Sequence, residues 1–303
     1  MNYKKYLDTQ IKKTESNLSS RLKNNDFDFF YNCIHEFIED DKEEFVQAFT
    51  EFGMQFENKY NVSGIIQKIF YEKSESAIIQ FVKDTNIENF KKLANSYYWL
   101  NLAFIKGLKN KQDVKGEFFQ DTVFASFLAY CFYPQALQKT LNYLETEYEQ
   151  SLKEESEKIL PEKRKYDKYY GYADVFQLLK ELLSKEENYP FNEMIDVPVE
   201  SHYDFAIKNY LSQDISVVNE VLEKLAQFHI NNPGESYLDT FNHDCWKSFP
   251  LEMISILICR KRQGLSNEGI SHPLIQPYLS FIFEAESLPH DELTKKLEEK
   301  IID

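Results

Sequence analysis

A chain of 303 residues, 43% of them hydrophobic, holds material for one large or two ordinary domains and is not a disordered polymer. Its 50 acidic residues against 35 basic ones leave a net charge of −15, which repels phosphate backbones and anionic lipid and sets nucleic acid and membranes aside as partners. Only 8 glycines are present, too few for the many tight turns of a sheet protein, so the composition predicts helix.

In chain order, Met1 to Asp8 is basic but is followed by no apolar segment of signal-peptide type, and a cytoplasmic protein is expected. Phe27, Phe30, Tyr31, Ile34 and Phe37 fall at helical spacing, after which the acidic run Asp40, Asp41, Glu43 and Glu44 reads as an exposed turn. Phe45, Phe49, Phe52 and Phe56 make a further helix-like stripe. Asn86 is placed to cap a helix that begins at Ile87 and is expected to stop at Gly107. The next helix, about Glu117 to Phe132, is apolar on most faces and is expected at the centre of a core, ending at Tyr133-Pro134. A charge-rich helix follows to about Lys158.

Ile159 to Lys165 combines a proline with a basic cluster and marks the expected boundary between an N-terminal helical domain, 1–160, and a C-terminal one, 161–303. Beyond it, helices are expected at Tyr172–Leu183, Ser201–Leu211, Ile215–Ile230, Leu251–Arg262, Leu274–Glu284 and His290–Ile301. The predicted fold is all-α, an irregular array of antiparallel helical hairpins in two subdomains, without a repeat of fixed period.

Searching the same residues for chemistry yields little. Cys33-x-His35 lacks the further ligands that zinc requires, and His35-Glu36 is not followed by a second histidine in the HExxH pattern. His243, Asp244 and Cys245 are of nucleophile-triad types, but consecutive residues cannot assemble a triad. A base would have to come from His202, His229, His272 or His290. No GxxxxGK(S/T) loop or GxSxG elbow occurs, and no cofactor, metal or catalytic residue is assigned. The four cysteines, Cys33, Cys131, Cys245 and Cys259, read as buried thiols. Two clusters are candidates for contact with a partner. One is the acidic group Asp40, Asp41, Glu43 and Glu44. The other is Tyr166, Tyr169, Tyr170 and Tyr172 with Asp174, which suits a partner surface and inter-domain packing equally.

Near the C-terminus, Trp246-Lys247-Ser248-Phe249-Pro250-Leu251-Glu252, then Arg260, Gly264 and His272-Pro273-Leu274, resemble the C-terminal region of helical immunity proteins of bacterial polymorphic-toxin systems, the immunity protein 49 family among them. The segment from Ile207 to His229 is similar to the same families. The resemblance covers about a quarter of the chain. It implies a non-enzymatic inhibitor, encoded beside a protein toxin that it neutralises by binding; the acidity suggests that the toxin is basic, plausibly a nuclease. The alternatives are a helical scaffold that binds proteins or peptides in a groove, and an enzyme built around His243 and Cys245.

Overall fold

The computed structural model describes residues 3–110, 119–147, 171–185, 201–232, 239–241, 243–284 and 287–302. The described residues form twelve helices and one two-stranded hairpin, a mostly all-α fold. No helix among them is long and apolar enough to cross a membrane. The chain divides into two compact units that do not follow sequence halves. One comprises Lys13–Glu117 with Leu288–Asp303, the other Met1–Lys12 with Phe118–Ser287. The expected boundary at Ile159–Lys165 lies outside the described residues. A reading in chain order has no means of seeing that the C-terminal helix packs back onto an element some 200 residues earlier.

In the first unit, α1 (Tyr3–Asn24, shared by range with the other unit) leads to α2 (Phe27–Asp40). Asp26 caps α2 by accepting the Phe29 N–H at 3.0 Å, and Phe30, Cys33, Ile34 and Phe37 are its buried stripe. The helix ends at Asp41, whose left-handed φ of 59° lets its N–H reach the Phe37 carbonyl. Aspartate is among the few residues that adopt this conformation readily.

The segment after it departs from the expected helix. Glu44–Glu51 (β1) and Met54–Asn61 (β2) pair antiparallel, with Phe49 opposite Phe56. Spacings of four are even, so Phe45/Phe49 and Phe52/Phe56 satisfy the two-residue period of a strand as well as the period of a helix. The turn decides between them: Phe52 and Gly53 have φ of 51° and 75°, the pair of positive values that a type I′ turn demands. The one glycine available does the work here.

β2 runs directly into α3 (Val62–Lys83), capped by Asn61, whose side chain accepts the Gly64 N–H at 2.8 Å. A short connection returns the chain along α4 (Ile87–Asn110), making an antiparallel pair in which Phe81 meets Phe90 and Phe70 meets Tyr97. Asn86 caps α4 as expected, through the Asn89 N–H at 2.9 Å. Gly107 does not stop the helix, which runs on to Asn110. The last helix of the chain, α12 (Glu292–Ile302), lies on α4. There Thr294 Oγ1 accepts both the Trp99 indole N–H (2.8 Å) and the Asn95 amide (3.1 Å), while the Tyr98 hydroxyl donates to Glu298 at 2.6 Å.

The second unit is built on α5 (Phe119–Phe132), every residue of which is buried. Around it stand α6 (Pro134–Glu147), α7 (Gly171–Leu183), α8 (Ser201–Asn209), α9 (Ile215–Asn231), the single turn α10 (Asp244–Ser248) and α11 (Leu251–Arg262). α6 follows α5 as its hairpin partner, α7 and α11 pack on α5, and α8 pairs with α9. Phe119 meets Phe176 of α7, Phe124 stacks on Trp246, and Cys131 Sγ lies 3.1 Å from the Ser255 hydroxyl of α11. The helix expected at Leu274–Glu284 is instead a succession of turns. Pro277 within it has no N–H to give to a helical ladder.

Thr294 provides a direct test of the α4–α12 junction. Thr294→Val leaves two buried N–H donors without an acceptor and is expected to cost about 2–3 kcal/mol, read as a lower urea midpoint. Thr294→Ser keeps the oxygen and should recover most of that loss.

A candidate protein-binding hairpin

Most of the acidic cluster singled out in the sequence sits at the foot of the β hairpin. Asp40 and Asp41 close α2, Lys42 and Glu43 connect, and Glu44 opens β1. All five side chains are exposed. Three are tied down: Asp41 pairs with Lys300 of α12 at 2.5 Å, Lys42 with Glu36 at 2.5 Å, and Glu43 accepts from the nearly buried Lys106 at 2.6 Å. The foot is also held by rings. Tyr60 packs edge-on against Phe30 of α2, with centroids 5.4 Å apart, and Phe45 is buried beneath the Lys42 ammonium.

Beyond that foot the hairpin carries its apolar residues in water. Val46 is 53% exposed, Met54 58% and Phe52, at the tip, 89%; Phe49 and Phe56 stack on one another and are exposed as well. Seven large hydrophobic side chains are exposed among the described residues, and these five are the majority. The strand alternation puts Phe49, Phe56 and Met54 on one face with Phe45 and Tyr60, and Val46, Ala48 and Thr50 on the other with Lys59, Glu57 and Gln55. Five exposed apolar side chains on a two-stranded ribbon are not core, because among the described residues no layer covers either face of the ribbon at that end. A patch of this kind marks an interaction surface. The same phenylalanines fall at helical spacing, which is why the sequence alone predicts a helix here.

The second candidate cluster is not brought to a surface. Tyr166, Tyr169 and Tyr170 lie outside the described residues, and Tyr172 stands in the first turn of α7. Asp174, expected at the partner surface, is 1% exposed, so it belongs to the interior of its unit.

The residues that carry the family resemblance are structural as well. The Trp246 indole N–H donates to Asp121 of α5 at 2.7 Å. Glu252 is wholly buried and meets His229 Nε2. Arg260, also buried, has no carboxylate among its hydrogen-bond partners. It donates to the Tyr210, Ser212 and Ser266 carbonyls at 2.6–2.9 Å and to Asn267 Oδ1 at 3.1 Å, stapling α11 to two loops. His272 lies between the Glu223 carboxylate and the Tyr3 ring. These positions fix how the helices of one unit meet, and none of them faces solvent.

Cys245 is buried, and the rings proposed as its base are engaged elsewhere: His229 with Glu252, His272 with Glu223, His290 with Asn95 and Glu298, and His202 stacked on Phe228 at 3.8 Å. His243 lies 3.7 Å from Asp121. Burial pushes the Cys33 thiol up to about 11, away from the reactive thiolate. Among the described residues no group of three or more His, Cys, Asp or Glu side chains is placed to hold a metal ion.

His202 gives its unit a pH dependence. Burial, reinforced by the nearby His229, pushes its imidazole down to about 4, whereas the unfolded chain binds that proton near pH 6.5. The folded form binds fewer protons in that interval, so stability is complete above about pH 6.5 and falls as the pH drops toward 4. Thermal melts across this range should show the decline, and His202→Phe should flatten it. No protein-family model, no curated protein and no solved structure matches the chain, and the hairpin with the acidic foot beneath it is a candidate site on its geometry alone.

Proposed function

We propose that this chain is a non-enzymatic immunity protein, a cytoplasmic inhibitor that neutralises a cognate basic protein toxin by binding it through the β1–β2 hairpin. The observation that carries the reading is the cluster of five exposed apolar side chains set above the acidic foot. Each part has a separate task. Phe52 and its neighbours supply the buried anchors, where one well-seated aromatic ring is worth about 2 kcal/mol or more. The acidic foot and the net charge of −15 draw a basic partner in and orient it.

The resemblance to toxin-immunity proteins supports the choice of partner, and the buried motif residues fit it: in such a protein the scaffold is internal and the contact surface is free to vary. A second copy of the chain is a poorer occupant, since it would carry the same net charge of −15.

The test is co-expression with the product of the adjacent gene. That product should be toxic alone and harmless with this chain, and the two should co-purify. Phe52→Ser and Phe56→Ser should each weaken the complex about 30-fold, the equivalent of about 2 kcal/mol; the melting temperature should stay unchanged for Phe52→Ser, whose ring is 89% exposed, and fall slightly for Phe56→Ser, which loses its stack on Phe49. Raising the salt concentration should slow association more than it speeds dissociation. An adjacent product that is harmless, or a double variant that protects as well as the native chain, overturns the reading.

A further inference from the structure

The hairpin has two backbone edges, and they differ. With a two-residue turn, Glu51 and Met54 form a pair that exchanges both backbone hydrogen bonds, and the antiparallel alternation makes Phe49/Phe56, Gln47/Asn58 and Phe45/Tyr60 the others. The Val62 N–H to Glu43 carbonyl bond, at 3.2 Å, continues that alternation below the strands. The N–H and C=O groups of Val46, Ala48 and Thr50 therefore point outward from β1, and those of Gln55, Glu57 and Lys59 outward from β2.

The side chains on the two edges are of opposite character. β2 carries Glu57 and Lys59, the charged residues that usually stop a further strand from pairing. β1 carries valine, alanine and threonine, with no charge, proline or bulge between Phe45 and Thr50. Proteins ordinarily guard such an edge. Here it is exposed, regular and unguarded.

We infer that the outward edge of β1 is a strand-pairing site, and that its occupant is an extended basic segment of another protein, which adds to the hairpin as a third strand. This rests on the reading of the hairpin as the binding surface and goes further by naming the mode and the chemistry. Residues of the added strand that alternate toward the aromatic face pack beside Phe49, and those on the opposite face lie beside Glu44 at the start of β1. Asp40 just before the strand and Glu44 at its start, both exposed, make a basic segment the favoured occupant. A second copy is disfavoured by the net charge of −15 that both chains would carry.

A probe separates this mode from simple burial of the aromatic face. It is an eight-residue peptide alternating lysine and valine, N-methylated on alternate residues so that only one of its edges can pair. Titrated into the isotope-labelled chain, it should protect the Val46, Ala48 and Thr50 amides from hydrogen exchange at least tenfold and leave Gln55 and Lys59 unchanged. Ala48→Pro removes an outward N–H that the hairpin itself does not use. It should weaken the peptide at least tenfold, whereas Gln55→Pro on the other edge should not. Protection of the β2 edge, shifts confined to the aromatic face, or no binding at millimolar peptide overturns the inference, and the native chain alone gives that answer if the proline variants fold poorly. Failure here combined with a stable complex with the adjacent gene product leaves the proposed function standing; a bound peptide without that complex does the reverse.

Discussion

A helix that is apolar around its whole circumference has to be enclosed on every side, and α5 is such a helix. None of its fourteen residues reaches solvent, so α6, α7 and α11 must supply walls, and its few polar groups need partners inside them. Most have them: Asp121 accepts the Trp246 indole, Ser126 donates to the Thr122 carbonyl, and Cys131 meets Ser255, whereas the buried Thr122 hydroxyl makes no hydrogen bond among the described residues. The packing of that unit follows from this enclosure. In the other unit the same demand falls on α4, and the C-terminal helix meets it by bringing Thr294 to Trp99 and Asn95. A buried indole N–H without an acceptor costs about as much as a sizeable apolar contact gains, so these few polar bonds decide which helix can serve as a wall.

Against this background the hairpin is the place where enclosure stops. Its foot obeys the rule: Phe45 is buried and Tyr60 packs on Phe30. From Val46 to Phe56 the rule is broken by five large apolar side chains, against two, Leu22 and Val82, exposed elsewhere among the described residues. Exposure of a single phenylalanine is ordinary in folded proteins. Five neighbouring apolar residues on a ribbon only two strands wide are different, because every one of them could have been polar without harm to any helix.

Much of the helical framework was legible in the sequence because the physics behind it is local. The stripe from Phe27 to Phe37, the Asn86 cap and the break at Tyr133-Pro134 each declare themselves within one or two turns of chain. The hairpin did not, since phenylalanines four apart satisfy both a helix and a strand, and overall glycine scarcity argued for the wrong one. Only the position of a single glycine, Gly53, directly after Phe52 and midway between two such pairs, separated the alternatives. Leu274–Glu284 was misread for a related reason, Pro277 being outvoted by the apolar residues around it. The candidate site was half legible. Asp40 to Glu44 could be named as an exposed acidic group, but the phenylalanines above it fall at helical spacing and gave no sign of an exposed strand pair. Asp174 looked like surface because it is charged, and its burial depends on neighbours that no local pattern reveals. The resemblance near the C-terminus drew attention to Glu252, Arg260 and His272, which proved to be the polar fasteners of one unit.

The acidity also takes on a second meaning once the hairpin is seen. A bare strand edge beside exposed phenylalanines is an aggregation hazard, and natural sheets blunt such edges with charge or proline. Here the charge lies at the start of β1, at Glu44, and just before it, at Asp40, Asp41 and Glu43. In the strand-pairing proposal this leaves the edge between Phe45 and Thr50 sterically open, so that a segment of opposite charge is favoured by sign, while the net charge of −15 carried by every copy opposes self-association.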